Sequence, residues 1–315
     1  LNGFHPLRFS PTRGKKILIT GAGGFVGRAV TRHLEDAGYV VEACDLKGTP
    51  RVLDVLEKQV LLEITLEVQP HTFIHAAALT SGEALQVIKV NVQGTLNALE
   101  AARDAGVEHF IFFSSCGVYA PSREPIDESG ATTTTDAYAL SKLLGEQAVN
   151  LGKGSMTAWL LRIGAVYGPG EQPSATRSRT SVVHHIAESI RTGQRLRLSR
   201  APEDVYNWLH TKDLARLLSV IIEHPADGST RLYNIAGPSA SVSHLVSTFQ
   251  ILKPEIDLGK LIEYSPNPLP GHRVIDSSKV ARELGFWPSI KLDEGLLDYL
   301  SSSPAGRHIG MRKAT

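Results

Sequence analysis

A tyrosine and a lysine stand four positions apart in Tyr138-Ala-Leu-Ser-Lys142, and Ser115 lies upstream. On a helix, residues i and i+4 share one face, so this spacing points the phenol and the ammonium the same way. A phenol is a weak base near neutral pH, with a reference pKa of about 10. A cation held beside it favours the phenolate and lowers that value. A hydroxyl such as that of Ser115 then holds a substrate oxygen. Together the three groups form a device that moves a proton to or from an alcohol while a cofactor moves the hydride. By itself the Tyr-x-x-x-Lys spacing is common on surface helices, and the rest of the chain decides its meaning.

The first element that bears on it is near the N-terminus. Lys15-Lys16-Ile17-Leu18-Ile19-Thr20 reads as a short buried strand, Gly21-Ala22-Gly23-Gly24-Phe25-Val26-Gly27 as a glycine turn, and Arg28 to Ala37 as a helix. Strand, glycine turn and helix in that order are the setting of a dinucleotide fingerprint. Gly21 allows the tight turn, Gly24 lets the backbone approach a pyrophosphate, and Gly27 lets helix and strand pack closely. The helix N-terminus offers unpaired N–H groups and partial positive charge to phosphates. The next strand, Tyr39 to Asp45, ends in a carboxylate 24 positions after Gly21. A carboxylate at about that spacing accepts hydrogen bonds from the adenosine ribose and repels a 2′-phosphate. The expected cofactor is therefore NAD rather than NADP, with Lys47 and Arg51 as the groups that compete with this reading.

With these residues in place the chain resembles the extended short-chain dehydrogenase/reductase family, also called the NAD-dependent epimerase/dehydratase family. The resemblance runs from about Lys15 to about Gly295, with the motifs in family order. It implies that Gly21, Gly24, Phe25, Val26 and Gly27 form the cofactor loop. It implies that Asp54-Val55 contacts adenine, and that His75-Ala76-Ala77-Ala78 is the strand-end turn beside the cofactor. Asn91, in Asn-Val-Gln-Gly-Thr, matches a family asparagine on the central helix. Phe113-Ser114-Ser115-Cys116-Gly117-Val118-Tyr119 matches the strand end that carries the catalytic hydroxyl, with one residue fewer before the valine. The hydroxyl four residues before the tyrosine is the catalytic one in the family, which selects Ser115 over Ser114. By the same resemblance Tyr138 is the proton-transfer residue, and Lys142 lowers its pKa and holds the nicotinamide ribose. Relatives pair their central helices across a twofold axis. A homodimer through Asn91 to Ala105 and Tyr138 to Leu151 is thus expected, with Leu96, Leu99, Leu143, Leu144 and Val149 on their apolar faces.

Apolar strands alternate with helical stretches up to about Gly168, a rhythm that implies a doubly wound parallel sheet. Phe73 to His75, His109 to Ser114 and Thr157 to Arg162 read as parallel strands. After Pro169 the pattern changes to a loop over 170–179, a helix Ser181 to Thr192 and a strand Arg195 to Ser199. Asn207 to Glu223 reads as a return to the sheet, and Leu232 to Ile235 as another strand. The predicted fold is a Rossmann-type α/β domain, 15–168 with about 205–240. A smaller C-terminal substrate-binding lobe covers about 169–204 and 241–300, and 1–14 and 301–315 are tails.

The lobe should choose the substrate, and here the chain departs from the family pattern. Relatives that bind nucleotide-diphosphate sugars carry an asparagine where this chain has Ala165, in Arg162-Ile163-Gly164-Ala165. They carry Arg-Asp where it has Tyr206-Asn207, and an arginine where Leu269 precedes Pro270-Gly271. An uncompensated diphosphate is costly to enclose, so the expected substrate is a sugar, lactone or sugar acid without a nucleotide. Arg177, Arg179, Arg195, Arg197 and Arg273 are the arginines that could replace the missing ones, and Arg177, Arg273, Ser115 and Cys116 are the candidate substrate contacts. Cys116 is better read as a small buried residue than as a base. Family dehydratases carry an acidic pair where this chain has Cys116-Gly117, which argues against sugar dehydration. His184-His185 diverge by about 100° on a helix, so at most one of them faces the site, and no cluster has metal-ligand spacing.

Composition agrees. With 315 residues, 33 Lys+Arg against 32 Asp+Glu, and two cysteines, the chain can bury a sizeable core. Nothing in the charge calls for nucleic acid. No disulfide framework is implied, so a reducing, cytoplasmic setting is expected. No run approaches the ~20 apolar residues of a membrane span. Two classes stay open. One is an NAD-dependent dehydrogenase or epimerase acting on a carbohydrate-like substrate, with a nucleotide-sugar 4-epimerase as the alternative substrate class. The other is a non-catalytic NAD sensor, which would have no need of a proton relay.

Overall fold

The computed structural model describes residues 14–174, 177–178, 180–268 and 273–302. Of the expected tails 1–14 and 301–315, residues 1–13 and 303–315 lie outside the described residues, as do Arg179, Leu269 and the Pro270-Gly271 pair, while Ser301 and Ser302 close helix Leu292–Ser302. Seven strands form a central sheet in the order Thr230–Ile235, Thr157–Ile163, His109–Ser115, Thr72–His75, Lys16–Thr20, Val40–Asp45 and Arg51–Val52. Every pairing in it is parallel. Helices cover both faces, which is why the strands are near-continuous apolar runs rather than alternating ones. Ile17 and Ile19 point to one face, packed with Val30 and Leu34 of helix Phe25–Asp36 and Leu214 and Leu218 of helix Thr211–Ile222. Leu18, Phe73 and Phe112 point to the other, against Leu61, Leu99 and Val149.

The strand order reverses between Lys16–Thr20 and Thr72–His75: the next two strands in sequence lie on one side of the first, and the later ones on the other. In open α/β sheets the crevice beyond the strand ends at such a point is where ligands bind. The helices expected over 91–105 and 138–151 are present and start earlier. Ala84–Asp104 begins after Glu83, whose carboxylate accepts from the Leu85 and Gln86 N–H groups. Ala137–Gly152 begins after Asp136, which accepts from Ala139 N–H. Such caps satisfy N–H groups that have no partner inside the helix.

The smaller lobe has its own core, with Tyr167, Ile186, Trp208, Leu245, Phe249 and Leu296. One expectation is corrected here. Val205–His210 does not return to the central sheet; it sits between Ala165–Tyr167 and Ser239–Ser241 in a separate three-stranded sheet. The return begins one element later, with helix Thr211–Ile222. Trp208 is the physical reason, since its ring packs into the lobe core and its indole N–H donates to Ala240 O at 3.1 Å. Arg273–Ile275 pairs with Ser122–Ile126, tying the lobe to the sheet domain. Among the described residues no helix is long and apolar enough to cross a membrane.

Candidate active site

Two adjoining cavities open at the reversal point, of about 320 and about 290 Å³. Volumes of this order are typical of small-molecule sites. Gly21, Gly24, Ala76 and Ala78 line both. The first cavity is completed by Phe25, Val26, Gly27, Ser115, Tyr138, Lys142 and Arg177. The second is completed by Asp45, Asp54, Val55 and Ala77. All the cofactor residues expected from sequence except Asn91 thus lie on one or the other wall.

The glycine loop fits a dinucleotide on steric grounds. Gly21 has φ +78°, and a Cβ there would lie 2.4 Å from Ala77 N. A Cβ on Gly27 would lie 2.0 Å from Gly21 O. Helix Phe25–Asp36 starts at Gly24 with no side-chain cap and no acid in its first turn, so its N–H groups and partial positive charge are open to phosphates. Asp45 accepts from Gly23 N–H at 3.0 Å and Leu46 N–H at 2.6 Å, which fixes the carboxylate at the mouth of the second cavity. Arg51, one of the two expected competitors with Lys47, is spent on two acids, Glu42 at 3.0 Å and Glu67 at 2.8 Å. Bidentate pairs of that kind are the strong ones. Loss of charge-assisted bonds from a ribose costs about 1.5–3 kcal/mol. Asp45→Ala should therefore weaken NAD binding by roughly 10- to 100-fold and narrow the gap to NADP. Fluorescence titration with both cofactors checks this, and wild-type protein that binds NADP more tightly than NAD would contradict it.

Tyr138 and Lys142 project from one face of helix Ala137–Gly152 into the first cavity, opposite Ser115 at the end of strand His109–Ser115. The Ser115 hydroxyl accepts from Gly117 N–H at 3.0 Å, which holds its oxygen at the strand end. The Lys142 Nζ lies 5.7 Å from the Tyr138 ring centroid and 5.0 Å from that of Phe112. The electrostatics differ from expectation. Burial pushes the Tyr138 phenol up to about 12, with Arg177 opposing and Asp136 adding to the rise. Burial likewise pulls Lys142 down to about 7, with Glu146 opposing. Desolvation is thus the largest cause for both groups, and Arg177 is the cation that opposes it at the phenol.

Arg177 is a built feature of the wall. Its Nη2 donates to Glu171 at 2.7 Å, its guanidinium lies 4.9 Å from the Phe25 ring centroid, and its buried Nη1 has no partner among the described residues. Glu171 is itself held by Ser181 N–H at 2.8 Å and Ser181 Oγ at 2.6 Å. Arg28 donates to Gly23 O at 2.6 Å and Gly170 O at 3.3 Å, and joins the glycine loop to the loop before Glu171. Gly23 and Arg28 were not singled out from sequence. Gly23 sits inside the glycine run, and a Cβ on it would fall 2.3 Å from Lys47 O.

Several expected contacts lie elsewhere. Asn91 is corrected to a positioning role: it is buried outside both cavities. Its amide accepts from Leu79 N–H at 2.7 Å and donates to Leu79 O at 3.0 Å and Ser141 Oγ at 2.8 Å. It therefore ties the loop after Ala78 to the Tyr138 helix. Cys116 is also corrected. It begins a 3₁₀ turn that aims its thiol at Arg162 O, 3.1 Å away, among Val118, Tyr119 and Ile275. Burial pushes it up to about 12, so it is neither substrate contact nor base. Arg273 lines neither cavity; its Nη2 donates to Tyr119 O at 2.8 Å and its buried Nε has no partner. Arg197 pairs with Glu263 at 3.0 Å in solvent, and Arg195 is exposed. His184 meets Tyr299 OH at 2.8 Å and His185 meets Thr180 at 3.3 Å, and neither lines the cavities. His71, Glu108 and His109 cluster at the far ends of the strands. There His109 Nδ1 accepts from the Trp159 indole at 3.1 Å, which leaves the ring proton on Nε2 and no lone pair for a metal.

Comparison with known proteins agrees with this geometry. The model of the NAD-dependent epimerase/dehydratase family matches residues 17–236. A dTDP-glucose 4,6-dehydratase of Neisseria gonorrhoeae is 25 % identical over 90 % of this chain and 94 % of its own length. A UDP-glucose 4-epimerase of Haemophilus influenzae is 27 % identical over 90 % of this chain and 95 % of its own. Among solved structures, an epimerase from Methanothermobacter thermautotrophicus superposes with a TM-score of 0.81 at 26 % identity, covering 92 % of each chain. A UDP-glucose 4-epimerase from Thermotoga maritima reaches the same TM-score of 0.81 at 24 % identity, over 91 % of this chain and 98 % of its own.

Proposed function

This chain belongs to the NAD-dependent epimerase/dehydratase family, and from that premise we propose that it oxidises a secondary alcohol of a sugar-like substrate. The observation that carries the reading is the single cleft lined by the glycine loop, Ser115, Tyr138 and Lys142. NAD is the family's cofactor, and when bound it supplies the hydride acceptor. Ser115 orients the reacting oxygen, Tyr138 takes the proton, and Lys142 holds the nicotinamide ribose. A non-catalytic sensor would have no use for this arrangement.

Two observations favour a nucleotide-bearing sugar over the free sugar expected from Ala165 and Tyr206. Three of the relatives named above are a dTDP-glucose 4,6-dehydratase and two UDP-glucose 4-epimerases. Arg177 lines the cleft and places a guanidinium charge there that a substrate anion would satisfy. Incubation with NAD and a panel of UDP- and dTDP-sugars, free sugars and sugar acids tests both halves of the reading. Net reduced cofactor identifies a dehydrogenase, and an isomerised sugar without it identifies an epimerase. A panel that stays inert throughout contradicts the enzymatic reading.

The two helices Ala84–Asp104 and Ala137–Gly152 pack on each other. Of the expected dimer residues, Leu99 and Val149 are buried against the sheet, and Leu143 is half-buried against the Cys116 cluster. Leu144 is 41 % exposed, and Leu85 and Leu151, 74 % and 84 % exposed, extend the apolar surface. Surface of this kind supports a homodimer through this pair of helices. Light scattering at micromolar concentration should give twice the chain mass, and a monomer mass would contradict the dimer. The two free, buried cysteines, Cys44 and Cys116, suit a reducing compartment such as the cytoplasm.

A further inference from the structure

Glu146 lies one turn beyond Lys142 on the same helix and is 2 % exposed. Its carboxylate accepts from Arg162 Nε at 3.0 and 3.2 Å and from Arg162 Nη2 at 2.7 Å. It also accepts from the hydroxyl of Ser114, the neighbour of Ser115. Arg162 Nη1 donates to the Tyr119 phenol at 2.7 Å, and that phenol donates to Asn234 Oδ1 at 2.9 Å. Asn234 Nδ2 then donates to Ile126 O at 3.0 Å and Asp276 O at 3.1 Å. The chain of bonds runs from the catalytic helix to the strands that tie in the smaller lobe.

Neither Glu146 nor Arg162 lines either of the two cavities described above. A buried ion pair is weak as a stabilising device, because apolar residues of similar volume often serve as well or better. Its placement therefore asks for another use. Lys142 is 3 % exposed and has Glu146 as the carboxylate that opposes its loss of charge. Its other neighbours are the Phe112 and Tyr138 rings and His75, a neutral imidazole packed on Phe112.

We propose that Glu146 is a positioning residue: from one turn away in the same buried interface it favours the charged form of Lys142 and, through Ser114, fixes the strand end that presents Ser115. Arg162 sets how much of the Glu146 charge reaches Lys142. The role matters for catalysis only through the reading of Lys142 and Ser115 given above, so the test reads Lys142 directly and needs no substrate. Protein labelled with ¹³C at lysine Cε is titrated by NMR, with the Lys142 signal assigned from Lys142→Arg. Arg162→Met leaves the carboxylate uncompensated and should raise the Lys142 midpoint. The double variant Glu146→Gln with Arg162→Met replaces the ion pair by a pair without net charge, so it should fold and lower the midpoint by roughly one unit or more. A purely structural pair predicts the wild-type midpoint in both variants, and that result, or shifts of the same sign, overturns the proposal. If the midpoints shift in opposite directions while the substrate panel stays inert, the electrostatic role stands and only the enzymatic reading fails.

Discussion

Replacing Tyr138 by phenylalanine should lower turnover by roughly 10²–10⁴-fold and leave NAD affinity and thermal stability close to wild type. The variant keeps the ring beside Lys142 and removes only the oxygen. General acid–base transfer by a positioned side chain contributes rate enhancement of that size. The phenol is the group at stake because it faces the same cleft as Ser115 and the glycine loop. Burial holds it near 12, so the fraction of phenolate, and with it the rate of alcohol oxidation, should rise with pH across the neutral and alkaline range. In Tyr138→Phe that rise should vanish along with most of the rate. Steady-state kinetics on a substrate found by the panel, with NAD titration in parallel, reads both quantities. A variant that retains near wild-type turnover would mean that another group moves the proton.

Gly27→Ala should cost NAD affinity by roughly tenfold to a hundredfold and lower Tm. The added methyl has no room: its carbon would stand 2.0 Å from Gly21 O and 2.8 Å from Ala22 Cα. Both are backbone atoms, so the strand end or the helix must move. Overpacking of this kind costs about 1–3 kcal/mol, which corresponds to that range of affinity. The displaced atoms belong to the turn proposed to meet the pyrophosphate, so the cost should fall on binding as well as folding. Calorimetric titration with NAD and a thermal melt test the two effects together. Unchanged affinity would mean that the loop does not hold the cofactor.

The parts of the site carried by local pattern were legible in the sequence. The strand–glycine–helix order around Gly21 to Gly27 and the i, i+4 spacing of Tyr138 and Lys142 depend on residues close together in the chain. Strand-end spacing placed Asp45, and the family motifs placed Asp54 and Ala76 to Ala78; these residues line the second cavity. What was not legible depends on long-range packing. Val205–His210 has the apolar content of a sheet strand, yet content cannot name the neighbour it pairs with. Ser122–Ile126 is polar and contains Pro125, and it becomes a strand only because Arg273–Ile275 lies beside it. Cys116 follows Ser115 in sequence, but the 3₁₀ turn rotates it away from the cleft. The Glu146–Arg162 pair joins a helix to a strand, and no periodicity marks it. Ionisation is the extreme case, since spacing puts Lys142 beside Tyr138 but only burial decides that both groups are shifted toward their neutral forms.

Rapid mixing of the NAD-loaded protein with an active nucleotide sugar is the most direct test of the central claim that this cleft carries out hydride transfer at a sugar alcohol. The absorbance of reduced nicotinamide is followed through a single turnover. The account predicts that the signal appears in the wild-type protein, persisting for a net dehydrogenase and transient for an epimerase, and slows by roughly 10²–10⁴-fold in Tyr138→Phe. Substrate conversion with no reduced nicotinamide at any time, or an equal signal in both proteins, would contradict it.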